Sequence, residues 1–384
     1  MTRMTAIEML EKLVAFDTTS RNSNLGMIAF IEDWLAAHGI AARRVMFGPD
    51  KANLVAVIGP EDTAGGYVLS GHTDVVPVDG QEWSSDPFSL RMEDGRAYGR
   101  GTADMKGFLA CVLALAPEMA RRQLKRPIIL AFSCDEEVGC TGVRPMIDWM
   151  RANLPPVAAV FIGEPTGMEV VAAHKGIAQM RTEVTGHEAH GSCPQLGVNA
   201  ISYTGEVVAE INRMAREEEA QADPASGFVP PYSTINIGRI AGGTAGNIIA
   251  GHCRIEWEVR LMPDTAPEPF AERLNAFARE NLEPEMRRVS DKAGIETEVV
   301  HTVPGLRRED DSAAVRLALR FAEANGVAAV SFGTEAGLFQ QAGMPAVVCG
   351  PGHIDQAHKP DEYVELSQLD ACTAFLRRLI DDCA

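Results

Sequence analysis

VLSGHTDVVP, residues 68–77, ends an apolar run with a histidine and an aspartate two residues apart. The run itself, YVLSGH (67–72), is one of five short and nearly continuous apolar segments. The others are NLVAVIG (53–59), PIILAFSC (127–134), AAVFIGE (158–164) and PAVVCG (345–350). Runs this short, without polar alternation, are the pattern of strands covered on both faces. Helical spacing lies between several of them, over 104–123 and 141–154, and residues 5–16 and 24–38 predict two opening helices, with Gly39 placed as a C-terminal cap. Strands alternating with helices predict an α/β fold, a mostly parallel sheet with helices on both faces.

From about residue 178 to 302 the rhythm changes. The order becomes strand, helix (197–219), strand, strand, helix (266–281), strand, and the strands alternate apolar with polar, as in STINIGRI and HCRIEWEVRLM. Alternation predicts an antiparallel sheet with one solvated face, an α+β ferredoxin-like βαββαβ unit inserted in the α/β sheet. The expected domains are therefore a discontinuous one, 1–177 and 303–384, and an inserted one, 178–302.

Composition sets the class. The chain has 384 residues, 46% of them hydrophobic, enough to bury a large core. Its formal charge of −18 repels phosphate backbones and anionic bilayers, which argues against nucleic-acid and membrane partners. The opening residues mix acids and bases among the apolar positions and read as an amphipathic helix, and no window reaches about 18 uninterrupted apolar residues, so a cytoplasmic protein is expected. The eight cysteines are scattered with no CxxC pair, which predicts thiols and excludes zinc-finger chemistry.

Ionisable residues collect where the buried strands end. His72 and Asp74 follow one, Asp135, Glu136 and Glu137 another, Glu164 closes a third, and His353, Asp355 and His358 come soon after a fourth. In open α/β sheets ligands bind outside the carboxyl ends of the strands, so these groups should converge on one crevice. Each has a bland reading taken singly: a loop histidine, or a solvated helix start whose acids favour the helix dipole. Four coincidences at successive strand ends favour a site. Several carboxylates and two imidazoles in one crevice call for cations, and mixed His/Asp/Glu ligation without thiolate suits zinc, cobalt or manganese. Asp104, in the Gly-rich GRGTADMKG (99–107), is a candidate bridging carboxylate and equally a helix N-cap.

SGHTDVVP, GRGTADMKG, DEEVGCTG, GEPT and the late QAHKPDEY, in this order, resemble the motif set of the acetylornithine deacetylase / succinyl-diaminopimelate desuccinylase / glutamate carboxypeptidase family of two-metal amidohydrolases. The resemblance runs from about residue 5 to 380. It implies two divalent metal ions, zinc first and cobalt or manganese as alternatives, with His72, Asp104 and Glu164 on one, Asp104, Glu137 and His358 on the other, and Asp104 bridging. It also implies Glu136 as general base, Asp74 orienting His72, and a cis peptide bond after Asp104.

In the inserted segment, TGHEAHGSCPQLGVNA (185–200) is similar to the family's stretch whose histidine reaches the active site of a second subunit. Spacing points to His190, with His187 as the neighbouring alternative. Asn247 and Arg260 match positions that hold a substrate carboxylate or the developing oxyanion; a solvated strand residue is the other reading of Arg260. Ala250-Gly251-His252 departs from the family's Pro and small polar residue at this loop. The resemblance thus makes 178–302 a lid and dimerisation domain and the protein a homodimer. His174, His301 and His353 read as structural.

GEPT and the stretch from Thr334 to Glu365 are most similar to the acetylornithine deacetylase branch. That implies a small-molecule substrate, N2-acetyl-L-ornithine, cleaved to acetate and L-ornithine as in arginine biosynthesis, with Arg260 on the α-carboxylate and Glu335 facing the side-chain ammonium. Removal of another acyl group, as by a desuccinylase or carboxypeptidase, is the alternative. A non-catalytic binding homologue is more distant, because every expected ligand position is filled.

Overall fold

A computed structural model describes residues 4–309 and 311–384. The chain forms two compact units, Met1–Ala173 with Leu306–Ala329 and Thr334–Ala384, and His174–Gly305 with Val330–Gly333.

The first unit is built on an eight-stranded sheet. Its spatial order is Ala42–Phe47, Lys51–Ile58, Ile128–Ser133, Tyr67–His72, Ala159–Pro165, Ala346–Gly350, Val171–His174 and Ala328–Val330. The middle strands Ile128–Ser133, Tyr67–His72, Ala159–Pro165 and Ala346–Gly350 run parallel. All four are buried at every position, which is why they read as apolar runs without alternation. Antiparallel strands flank them, Lys51–Ile58 on one side and Val171–His174 on the other.

Helices cover both faces. Gly107–Arg121 packs with Ala6–Val14 and Leu366–Cys383, while Val143–Asn153 packs with Ala336–Gln341. The opening helix begins with a capping box between Thr5 and Glu8, and Gly39, at φ +77°, ends the turn after Leu25–Ala36. Tyr67, Phe161, Phe321 and Phe375 form an aromatic cluster in the core, with Phe161–Phe375 and Phe321–Phe375 edge to face at 5.7 Å. Such pairs contribute about 0.5–1.5 kcal/mol each beyond the area they bury.

Two glycines decide how closely the main helix approaches the sheet. A Cβ at Gly163 would overlap the Phe108 ring, and one at Gly71 would lie 2.5 Å from Met105 Cε. Each precedes a candidate site residue, Glu164 and His72, so the absence of two side chains brings the 102–107 turn down onto the strand ends.

Some elements carried no periodic signal. The edge strand Ala42–Phe47 is largely solvated, and the sheet of Arg91–Glu93, Arg96–Tyr98 and Tyr363–Glu365 is built from three-residue strands too short to show a period.

The second unit is a four-stranded antiparallel sheet, ordered Thr234–Gly242, His252–Leu261, Gly176–Thr185 and Gly294–Val303. With helices Ala200–Ala220 and Glu268–Phe277 the chain order is βαββαβ. His252–Leu261 alternates buried with solvated positions, and its buried side chains join Met180, Val207, Ile211 and Leu274 in a separate core. The buried Trp257 indole is satisfied there, donating to Thr182 Oγ1 at 3.1 Å.

All eight cysteines are free thiols and only Cys193 is not buried. Among the described residues no helix is long and apolar enough to cross a membrane.

Candidate metal centre

The strand ends of the first unit bring His72, Asp104, Glu136, Glu137, Glu164 and His358 together. Tyr67–His72 ends in the first imidazole, and Glu164 is the penultimate residue of its parallel neighbour, which places His72 Nε2 3.7 Å from Glu164 Oε1. Asp104 lies in the turn Thr102–Lys106, between the αL glycine Gly101 and the helix that starts at Gly107. Its peptide bond to Met105 is cis, as the resemblance implied. The helix N-cap reading does not hold: the helix begins three residues further on, and no side chain caps it.

The two oxygens of Asp104 face different imidazoles. Oδ1 is 2.9 Å from His72 Nε2 and Oδ2 is 3.3 Å from His358 Nε2. Glu137 Oε2 lies 3.2 Å from His358 Nε2, so Glu164 stands on the His72 side and Glu137 on the His358 side. Two donor triads have ligand atoms within 4.8 Å of one another, His72 with Glu136 and Glu164, and His72 with Asp104 and Glu137.

Asp74 differs in detail from expectation. Its backbone carbonyl, not its carboxylate, takes the His72 Nδ1 proton, at 2.8 Å, while the carboxylate oxygen is 3.7 Å away. The carboxylate instead accepts the backbone N–H of Glu136 at 3.1 Å, that of Glu137 at 3.3 Å, and the Ser20 hydroxyl at 2.7 Å. A carbonyl can only accept, so Nδ1 carries a proton, and Nε2 faces the carboxylates of Asp104 and Glu164. Asp74 therefore ties the Glu136–Glu137 turn to the end of the His72 strand. Asp135, just before that turn at φ +52°, is held by Lys51 at 2.6 Å.

Electrostatics mark the cluster as short of positive charge. Burial pushes the Glu136 carboxyl up to about 8. Glu137 and Glu164 are also raised, first by burial and then by the neighbouring Asp104. Hydrogen bonds to Asp104 and Glu137 lift the His358 imidazole to about 10. For Asp104 burial works against ionisation, but bonds from His358 and His72 outweigh it and hold the carboxyl below the usual range. A set that grips protons this firmly, with oxygen and imidazole donors and no thiolate among the candidate ligands, fits divalent cations of the zinc type.

Glu335 corrects an expectation. It is fully buried, with Oε1 2.5 Å from the Ser70 hydroxyl and Oε2 2.7 Å from the Ser133 hydroxyl. Both serines lie near the ends of the strands that carry His72 and Glu136, so the carboxylate is a tie in the sheet and is not presented to a substrate ammonium. His353 is exposed, 3.6 Å from Asp355.

His190, Asn247 and Arg260 belong to the second unit. His190 is exposed and bridges Ile248, while Gly191 N–H donates to Asn247 O at 2.8 Å, so the two candidates sit side by side. Ser192 N–H donates to His190 Nδ1 at 3.2 Å, which leaves the ring proton on Nε2. His187 is engaged through its backbone, paired both ways with Val198 at 2.9 Å. The Arg260 fork is taken by Glu258, with both contacts at 3.2 Å. Of the loop that departs from the family pattern, His252 is paired with Glu183 at 2.6 Å.

A largely parallel sheet whose carboxyl ends gather two imidazoles and four acids is the construction of a metallohydrolase. The profile of the family described as Peptidase family M20/M25/M40 matches residues 68–382, and the chain belongs to that family. It is 38% identical over 378 residues to the acetylornithine deacetylase of Myxococcus xanthus, covering 97% of this chain and 95% of that one. In fold it is similar to aminopeptidase PepT from Bacillus cereus ATCC 10987, with a TM-score of 0.76 at 20% identity over 100% of this chain and 99% of that chain. The Bacillus subtilis YXEP protein, described as a dinuclear metal binding peptidase from the M20 family, superposes with a TM-score of 0.69 at 18% identity, over 98% and 96% of the two chains.

Proposed function

We propose that the protein hydrolyses the amide of N2-acetyl-L-ornithine, releasing acetate and L-ornithine. The observation that carries the reaction type is the place of Glu136 beside the donor cluster, with ligand atoms of Glu136, His72 and Glu164 within 4.8 Å of one another. The similarity to an acetylornithine deacetylase over nearly the whole chain supports the substrate.

In this reading His72, Asp104 and Glu164 hold one divalent cation, and Asp104, Glu137 and His358 the other, with zinc the expected ion. When bound, such a pair supplies Lewis acidity toward the scissile carbonyl and a nucleophilic hydroxide near neutral pH. Glu136 takes the proton of the attacking water and returns it to the leaving amine. Asp74 keeps the Glu136–Glu137 turn against the His72 strand.

The inserted domain, residues 178–302, serves as lid and dimerisation surface. His190 Nε2–H and Asn247 donate to the oxyanion, and Arg260 exchanges Glu258 for the substrate's α-carboxylate. This assignment requires a homodimer, because His190 acts on the site of a second copy. The reaction takes place in the cytoplasm.

A substrate panel on enzyme reconstituted with zinc or cobalt tests the proposal. Acetylornithine should give the highest kcat/KM, above succinyl-diaminopimelate and acyl-glutamates. A preference for one of those would move the protein to a neighbouring branch. Absence of turnover on all of them, with two ions bound, would make it a binding protein.

A further inference from the structure

Glu362 and Arg100 lie outside the donor set, yet both are buried to 1% exposure and joined at 2.7 Å. Glu362 has an unusual load for a carboxylate. Oε2 accepts the Gly101 N–H at 2.9 Å, and Oε1 accepts those of Ala103 at 2.9 Å and Asp104 at 3.1 Å. Its own carbonyl accepts the Gly99 N–H at 2.9 Å. One side chain therefore gathers three backbone donors of the turn that presents Asp104.

Arg100 continues the connection toward the other imidazole. Its second terminal nitrogen donates to Gln81 Oε1 at 2.6 Å, and Gln81 Nε2 donates to the carbonyl of His358 at 2.8 Å. His358 has φ +63°, a left-handed conformation that a residue with a Cβ keeps only when its surroundings hold it. The Trp83 ring lies over the Arg100 guanidinium at 5.0 Å, and its indole N–H donates to Gln81 Oε1 at 3.0 Å, fixing the middle of the chain.

We propose that Glu362, Arg100 and Gln81 are positioning residues that fix Asp104 and His358 relative to each other and thereby set the affinity of the centre for its cations. The inference rests on the ligand assignment above. An ion pair serving only the fold would not need to end on the backbone of two candidate ligands from separate loops. The guanidinium fork is needed because one group must face Glu362 and Gln81 at once, which a lysine ammonium cannot do with the same geometry.

The test is a titration of metal-stripped full-length protein with Co2+, followed by calorimetry and visible absorption. Wild type should bind two ions, and Asp104→Asn and His358→Ala should each lower the stoichiometry. Glu362→Gln should weaken both binding events by about 10- to 100-fold, because Asp104 is shared. Gln81→Ala and Arg100→Lys should weaken chiefly the event that depends on His358, and their metal-free melting temperatures serve as the folding control. If wild type binds fewer than two ions, or the Asp104 and His358 variants bind as wild type, the ligand assignment fails. If that assignment stands but Gln81→Ala and Arg100→Lys both titrate as wild type, the positioning role is overturned, even should Glu362→Gln fail to fold.

Discussion

The Cys140 thiol lies 3.1 Å from Glu136 Oε1 and donates to it, across one turn of chain. Burial, then the adjacent Glu136 carboxylate, raises the thiol well above its usual range, so it remains a donor. Without that contact Glu136 gains rotamers that point away from the cluster. Cys140→Ala should lower kcat about fivefold, the worth of one ordinary hydrogen bond, with KM nearly unchanged. Cys140→Ser should recover most of the loss. Steady-state kinetics on the metal-loaded enzyme decide it, and equal kcat in all three proteins would show that the contact does not matter.

Glu136 itself should separate chemistry from binding. Glu136→Ala is expected to cut kcat between about 100- and 10,000-fold while two metal ions stay bound, since proton transfer is what it removes. Elemental analysis alongside turnover checks both halves. Near-normal turnover would remove Glu136 from the mechanism.

Glu335 should act on stability and not on substrate affinity. Glu335→Ala empties a buried site and leaves the Ser70 and Ser133 hydroxyls without their best partner, at a cost of roughly 2–4 kcal/mol. Glu335→Gln keeps the volume and should cost less. Urea midpoints measure both. A Gln variant with unchanged midpoint but a raised KM for acetylornithine would restore the substrate-facing role.

His174 makes folding sensitive to acid. It is fully buried; Nδ1 donates to the Lys175 carbonyl at 2.9 Å, and Nε2 has no partner among the described residues. Burial lowers its pKa to about 4, against an ordinary value of 6.5. Above pH 6.5 neither folded nor unfolded chain protonates it, and its full contribution to stability is present. As the pH falls from 6.5 to 4 only the unfolded chain takes up the proton, so up to about 3 kcal/mol is lost. Urea midpoints measured between pH 7 and 4 should fall less steeply in His174→Leu than in wild type. Parallel slopes would contradict this account.

Much of this protein could be read from local pattern. Strands buried on both faces must be apolar at every position, so the four parallel strands announced themselves, and the alternation of HCRIEWEVR marked the second sheet as one-sided. Ionisable residues at or soon after the ends of such runs stand out against an apolar background, and His72, Glu136, Glu137, Glu164 and His358 were legible as candidates for that reason, whereas Asp104 was legible through the Gly-rich GRGTADMKG and the family resemblance.

What tertiary structure alone decided is the use of charges whose partners are remote in sequence. Glu335 is in the core because Ser70 and Ser133 meet it there, 265 and 202 residues away along the chain. Glu362 is buried because Arg100 and the turn at Asp104 supply four donors from about 260 residues upstream. The Asp74 carbonyl, not its carboxylate, meets His72, while the carboxylate is engaged by the Glu136 and Glu137 backbone 62 and 63 residues away. A buried charge is stable only when folding delivers its partners, and no local spacing records which segments those will be.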